Sequence, residues 1–418
     1  MSEAIDGKHR SAAFQVMAKP IGPSCNLNCR YCYYLEKRRS YPAGSSFRMS
    51  DRVLEAFVRQ YIEAQPSTRI DFLWQGGEPT LMGVDFFRRV VALQRRYCTP
   101  GQQINNALQT NGVLLDDRWC DFLRENGFLV GISLDGPPHL HDRYRPDRRG
   151  KPTCDRVTKA IERLRKHGVE FNTLTVVSRD SARYAREIYD FLEAQGSRFM
   201  QFIPLVERVG PGASLAPPPT GAGEHTVTPW SVGAAQFGAF LATIFDHWVR
   251  HDVGRIYVQL FDVQFGQWAG LASALCIYAQ SCGEGLALEH NGDLYACDHY
   301  TYPDYRLGNI LERPLAVLAR SLRQLHFGRG KRHPLPRCCR ACTYLFACNG
   351  GCPKHRFARS ADGEPGLNYL CPSYRRFFAH IDPYMRTMVD LLRSGRAPAL
   401  IMGMGRRRGM DRKHRIGR

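Results

Sequence analysis

The stretch Cys25-Asn26-Leu27-Asn28-Cys29-Arg30-Tyr31-Cys32 decides how the rest of the chain is read. It sets three thiols within eight residues, with no fourth cysteine nearby to complete a tetrahedral site. Three thiolates can hold three corners of a cubane 4Fe-4S cluster and leave the fourth iron open to a substrate or cofactor. A four-thiolate zinc site or a ferredoxin cubane closes its metal instead. The blander readings are a zinc knuckle or a chance run of surface cysteines, and spacing this tight argues against both.

Outward from that loop, strand-like and helix-like stretches alternate. Residues 14–21 (FQVMAKPI) form an apolar run leading into the cysteines, and similar runs recur at 70–75, 104–109, 129–134, 169–177 and 199–203. Between them, about 50–64, 84–96, 116–126, 155–167 and 180–195 carry apolar residues at helical intervals, as in Val53, Phe57 and Tyr61. The alternation predicts an α/β fold with a parallel sheet and right-handed crossovers. Chemistry in barrels of this kind gathers at the C-terminal strand ends, and the cysteine loop follows the first strand. Trp74-Gln75-Gly76-Gly77-Glu78-Pro79 follows the second, with glycines that permit close backbone approach and a proline that fixes the exit. The third and fourth end in Gln109-Thr110-Asn111-Gly112 and Ser133-Leu134-Asp135-Gly136-Pro137. His139, His141, Asp142, Arg143 and Arg145 then read as a loop at the barrel mouth, although a solvated charged loop is the plainer reading for most of them. The sixth run ends in Gln201-Phe202-Ile203-Pro204-Leu205-Val206-Glu207.

The cysteine spacing, with Tyr31 ahead of the last thiol, and the glycine-glutamate loop one β/α unit later resemble the radical S-adenosylmethionine (SAM) enzymes. The resemblance implies a partial (β/α)6 barrel in which SAM chelates the open iron of a 4Fe-4S cluster on Cys25, Cys29 and Cys32. It sets Gln75, Gly76, Gly77 and Glu78 at the methionine end of SAM, the glycines as backbone contacts and Glu78 as an acceptor behind them. It also implies that Tyr31, Ser133 and Asp135 lie near the cofactor and that Leu205 faces its adenine.

Composition frames the rest. At 418 residues the chain exceeds the usual size of one domain. Its formal charge of +19 comes from 58 basic and 39 acidic residues, part of them in the terminal GMGRRRGMDRKHRIGR. That tail has little to bury and is expected to be disordered. No zinc finger, helix-turn-helix or aromatic-interleaved basic stripe makes nucleic acid the substrate. No run reaches membrane-helix length. The N-terminus lacks an apolar signal region, and the 15 cysteines cluster locally rather than spreading as disulfide pairs, so a reduced, cytoplasmic protein is expected. The Pro/Gly-rich residues 209–228 read as an extended surface loop before a helix at about 229–251.

A second thiol group follows: Cys276, Cys282, Cys297, Cys339, Cys342, Cys348, Cys352 and Cys371, enough for two closed four-cysteine sites. Asn291-Gly292 is a strong hairpin signal, so the segment from Cys282 to Cys297 is expected to form the rim of a small sheet. Zinc is the alternative metal for four cysteines. Cys338 competes with Cys339, which gives the tighter CxxC bite, whereas Cys98, Cys120 and Cys154 stand alone and read as packing residues. The spacing resembles the SPASM extension of peptide-modifying radical SAM enzymes. That resemblance implies two auxiliary 4Fe-4S clusters, one on Cys276, Cys282, Cys297 and Cys352, the other on Cys339, Cys342, Cys348 and Cys371. The resulting plan is a barrel with its exit loop (1–228), a closing helix and connector (229–275), a SPASM domain (276–388) and a basic tail (389–418).

Within that class, QFIPLVE, Phe245-Asp246-His247-Trp248, Tyr295-Ala296-Cys297-Asp298-His299 and GGCPKHR at 350–356 resemble the anaerobic sulfatase-maturating enzymes. The family resemblance implies oxidation of a cysteine or serine in a sulfatase to Cα-formylglycine: a 5′-deoxyadenosyl radical takes a Cβ hydrogen, a base removes a proton, and an electron passes to the auxiliary clusters. Asp298 is the matched base, with Tyr295 and His299 as backups. The implied partners are an unfolded or nascent sulfatase polypeptide carrying a Cys/Ser-x-Pro-x-Arg motif and a cellular one-electron reductant. Another SPASM-type peptide modifier, such as a thioether-forming or quinone-cofactor maturase, is the alternative.

Overall fold

Six strands lie side by side in chain order, all parallel: β1 (Gln15–Lys19), β2 (Arg69–Trp74), β3 (Gln103–Thr110), β4 (Phe128–Ser133), β5 (Phe171–Val177) and β6 (Phe199–Pro204). The computed structural model describes residues 13–210, 215, 217, 226–332 and 335–404. Helices α1 (Asp51–Ala64), α2 (Val84–Tyr97), α3 (Asp117–Glu125), α4 (Pro138–Tyr144), α5 (Cys154–Lys166) and α6 (Ala185–Ala194) lie between the strands. Ser50 caps α1 by accepting from Val53 N, and Asp116 caps α3 by accepting from Trp119 N, so both helices start where a side chain meets the free N–H groups. The helix stripes meet the outward side chains of the strands: Phe57 stands edge-on to Phe72 and Trp74, and Phe87 to Trp74. Inward side chains and loops at the C-terminal strand ends are left to form the site.

Four expectations need correction. First, residues 138–144 form the helix α4, started by Pro138, rather than a loop. His141 and Arg145 are buried, Asp142 accepts from Thr153 N and Cys154 N to start α5, and only His139 and Arg143 face solvent. Second, the closing helix α7 (Gln236–His251) begins seven residues later than 229. Residues 229–235 are held as turns because Val232 N donates to Leu205 O and Gly233 N to Gln236 Oε1.

Third, the Asn291-Gly292 hairpin belongs to the barrel sheet itself. After the short β7 (Tyr257–Val258) on β6 and helix α8 (Gln259–Trp268), the chain returns as β8 (Gly285–Glu289), which pairs in parallel with β1 from Gln15↔Gly285 to Lys19↔Glu289. Strands β9 (Asp293–Tyr295) and β10 (Arg306–Asn309) extend it antiparallel, giving a ten-stranded sheet. β1 would otherwise be an unpaired edge, and β8 satisfies it.

Fourth, the chain is ordered past 389. The long helix Cys371–Arg393 buries Phe377, Ile381, Met385, Met388 and Leu391, and a turn at Pro398–Leu400 leads to buried Ile401. It crosses α7 at Gly238, where a Cβ would lie 2.4 Å from Ser373 O. The tail from 405 and most of the 209–228 stretch lie outside the described residues. No helix among those described is long and apolar enough to cross a membrane.

Candidate active site and cluster centres

The loops after β1 and β2 are stitched together backbone to backbone. Gln75 N donates to Ala18 O at 2.9 Å, Gly77 N to Gly22 O at 2.8 Å and Glu78 N to Ser24 O at 2.9 Å. A Cβ on Gly77 would fall 1.9 Å from Ser24 O, and Gly76 sits at φ +135°. What the two glycines admit is therefore the cysteine loop, and the Gly77 N–H is already spent on it. Glu78 is buried and takes Thr80 N (3.0 Å), Thr80 Oγ1 (2.6 Å) and Thr110 Oγ1 (2.6 Å) on Oε1, with Asn111 N (2.8 Å) on Oε2. The acceptor role expected of Glu78 is thus filled by protein donors, and the carboxylate braces the loops after β2 and β3. Asn111 continues the brace, its Nδ2 reaching Asn26 Oδ1 at 2.8 Å and Cys25 Sγ at 3.8 Å.

At the β4 end, Asp135 is also engaged. Its carboxylate accepts from Tyr31 OH (2.6 Å), Arg145 Nε (2.8 Å), Arg145 Nη2 (3.1 Å) and Val176 N (2.9 Å). Burial alone would raise its pKa, but Arg145, then His141 and Tyr31, hold it below the usual carboxylate range. Asp135 therefore anchors Tyr31, the residue before Cys32, instead of standing free for a ligand. Tyr31, Tyr144 and Leu205 form a small apolar cluster with Cys29, Val176 and Trp230 against it, a wall beside the cysteine loop. Ser133 is half-buried and accepts from Gln109 Nε2 at 3.1 Å.

Because β8 lies beside β1, the residue after Cys297 arrives at the same mouth. Asp298 Oδ1 is 2.5 Å from Lys19 Nζ, and Oδ2 accepts from Tyr33 OH at 2.7 Å. Lys19 Nζ also lies 3.5 Å from Gln75 Oε1, so Gln75 joins this group. Burial would lift the Asp298 carboxyl, yet Lys19, His299 and Tyr33 bring it down to about 2. His299 is lowered as well, to about 4, by burial and then Lys354, which leaves its ring neutral near pH 7. Tyr295 has Asp293, Glu289 and Arg306 for neighbours rather than Asp298. Lys354 Nζ pairs with Glu207 Oε1 at 2.5 Å and sits 4.9 Å above the Tyr33 ring. Lys19, Tyr33 and Lys354 are not among the residues expected at the site, whereas Glu207 ends the sixth strand-like run. Lys19 had a readable signal, a lone charge ending an otherwise apolar strand.

All 15 cysteines are unpaired. Cys25, Cys29 and Cys32 lie within electrostatic reach of one another. Cys276, Cys282, Cys297 and Cys352 form a second group, and Cys339, Cys342, Cys348 and Cys371 a third, with exposed Cys338 at its rim. Burial pushes Cys29 and Cys348 up to about 12 and Cys282 to about 11, so these thiols ionise only against a strong positive charge such as a metal. Among the described residues no three His, Cys, Asp or Glu converge on a single-ion site. Lys331 is buried and donates to Cys276 O, Ile277 O (3.0 Å) and Ala279 O (2.5 Å), while Arg356 donates to Asn349 O (2.9 Å), Gly350 O (2.9 Å) and Gly351 O (3.2 Å). These two cations hold the loops that carry Cys276 and Cys352.

Comparison with known proteins gives this site its class. The Radical SAM superfamily model matches residues 20–192, and SPASM, an iron-sulfur cluster-binding domain, matches 280–343; the two imply SAM and 4Fe-4S clusters as cofactors. A serine-type anaerobic sulfatase-maturating enzyme from Bacteroides thetaiotaomicron is 45% identical over 390 residues, 93% of this chain and 94% of that relative. A cysteine-type anaerobic sulfatase-maturating enzyme from Clostridium perfringens is 33% identical, over 88% of this chain and 96% of that relative. The solved structure of native anSMEcpe with bound AdoMet and Cp18Cys peptide superposes with a TM-score of 0.79 at 31% identity, covering 91% of this chain and 100% of that one. The chain belongs to the anaerobic sulfatase-maturating enzymes, oxidoreductases of the radical SAM class.

Proposed function

We propose that this enzyme oxidises a peptidyl serine of a sulfatase to Cα-formylglycine, with Asp298 as the proton acceptor. The observation that carries the reading is the position of Asp298, fixed between Lys19 and Tyr33 at the mouth that also presents the Cys25, Cys29 and Cys32 loop. Higher identity to a serine-type enzyme (45%) than to a cysteine-type one (33%) supports serine over cysteine.

Cys25, Cys29 and Cys32 would hold the SAM-binding cluster, and the other two thiol groups the auxiliary clusters, three in all. When bound, SAM and these clusters supply the removal of a Cβ hydrogen and the onward path for an electron. The chain's own residues supply the rest. Asp298 stays ionised near neutral pH, so an Oδ can take the hydroxyl proton of the serine as the carbonyl forms. Lys19 and Tyr33 fix that carboxylate in one orientation, and the Lys354–Glu207 pair sits beside Tyr33. The substrate is read as an unfolded or nascent sulfatase segment with a Cys/Ser-x-Pro-x-Arg motif. A bound peptide in the related anSMEcpe structure supports this, and a one-electron reductant completes the reaction. Unpaired thiols throughout suit a cytoplasmic enzyme.

The test is anaerobic incubation of reconstituted enzyme with SAM, reductant and matched Ser- and Cys-containing peptides, followed by peptide mass. A carbonyl product, faster from serine, is expected. A crosslinked product, or no carbonyl from either peptide, would overturn the reading, and a faster cysteine reaction would overturn the residue preference.

A further inference from the structure

Lys37 lies in the helical turn Leu35–Ser40 that follows the cysteine loop. It is 6% exposed, and its Nζ has no hydrogen-bond acceptor among the described residues. The ammonium lies against the face of the Tyr302 ring, which offers it no oxygen. Four charged groups face it: Lys354, Asp298, Glu289 and Glu207. Each acid already has a partner, Asp298 in Lys19 and Tyr33, Glu207 in Lys354, and Glu289 in Tyr34 at 2.7 Å. Lys354 adds like charge. Burial, reinforced by Lys354, pushes the Lys37 amine down to about 7, as befits a cation without a counter-charge.

A buried ammonium with idle N–H groups is costly, and buried polar groups are almost always hydrogen-bonded. None of the described residues supplies that acceptor, and a group that enters the site can. An unfolded peptide laid across this mouth carries an unpaired carbonyl on every residue. We propose that Lys37 is a substrate-positioning residue that donates to a main-chain carbonyl of the bound peptide beside the target residue. The inference rests on the peptide-oxidising reading above. SAM also carries a carboxylate that could take such a donor. However, Lys37 faces Asp298 and Glu207, whereas Glu78, in the loop that resemblance assigns to SAM's methionine end, accepts from Asn111 N, and Asn111 Nδ2 reaches Asn26 of the cysteine loop.

The test compares wild type with Lys37→Met, which keeps the stem packed on Tyr302 but removes the donors, and Lys37→Gln, which restores a donor. Peptide KM, kcat, iron content, SAM affinity and binding of a labelled Ser-x-Pro-x-Arg peptide are measured. Lys37→Met should raise KM and weaken peptide binding by about ten- to a hundredfold, the size of a charge-assisted hydrogen bond, with iron content and SAM affinity unchanged. Lys37→Gln should recover part of the loss. Unchanged KM in Lys37→Met, or a loss confined to SAM affinity, overturns the proposal. If Lys37→Met does not load iron, the comparison passes to Lys37→Gln, where a raised KM supports the role and an unchanged one overturns it. Carbonyl product from wild type with no KM change in the variants removes Lys37 alone. Peptide binding that depends on Lys37, without any carbonyl product, removes the serine-oxidising reading and leaves Lys37 in place.

Discussion

Lys19 and Asp298 meet at 2.5 Å, joining the strand that launches the cysteine loop to the residue after Cys297. The contact exists because β8 pairs with β1 and sets Lys19 opposite Glu289, so the cysteine-rich half of the chain closes over the barrel mouth. It also keeps the Asp298 carboxylate ionised near neutral pH.

Asp298→Asn keeps the shape and removes the proposed base. All clusters and SAM binding should persist, while carbonyl formation falls by about a hundredfold or more, the usual contribution of a positioned base. SAM cleavage uncoupled from peptide oxidation would mark the variant. Near-normal carbonyl yield from Asp298→Asn, with a large loss in His299→Gln and intact iron in both, would move the role to His299.

Gly77→Ala forces a Cβ onto Ser24 O, a backbone atom that cannot yield without moving the cysteine loop. The variant should lose the SAM-binding cluster and keep the auxiliary pair, so iron should fall by about a third from the roughly twelve per chain that three cubanes imply. Iron and acid-labile sulfide analysis reads this directly, and full iron content in Gly77→Ala would show that the apposition is not needed.

Asp135→Ala leaves Arg145 buried without its carboxylate and should cost about 3–5 kcal/mol of stability. Tyr31→Phe removes one hydrogen bond to the same carboxylate and should cost about 1–3 kcal/mol. Denaturant unfolding of the two variants should rank them in that order.

Stability should fall on mild acidification through His141. Its Nδ1 accepts from Asp135 N at 3.2 Å, and Thr153 Oγ1, whose own proton goes to Arg145 O, accepts from Nε2. Burial pushes this neutral ring from 6.5 down to about 4. The unfolded chain therefore binds the proton first as pH drops, so the contribution is full above about 6.5 and lost progressively toward 4, about 3 kcal/mol over the whole window. His141→Asn should flatten the slope of unfolding free energy against pH in that interval.

Periodicity revealed the six parallel strands and the amphipathic helices, because each repeats a local pattern. Cysteine spacing marked the thiol groups for the same reason. What stayed hidden was pairing at long range: nothing local in β8 says that it will lie on β1, and without that pairing Lys19 and Asp298 have no reason to meet. Gly76 and Gly77 announced a close approach but not what approaches, which proved to be Ser24. Glu78 and Asp135 were legible as important, but their partners Thr110 and Arg145 come from other loops and no local pattern names them. The charges at 139–145 resembled a solvated loop because burial of Arg145 depends on Asp135, and burial of His141 on Thr153.

The most direct measurement follows a deuterium label. A Ser-x-Pro-x-Arg peptide deuterated at the serine Cβ should pass deuterium into 5′-deoxyadenosine and yield the carbonyl peptide, and Asp298→Asn should transfer the label with little carbonyl. Label that stays in the peptide while wild type cleaves SAM would contradict serine Cβ oxidation at this site.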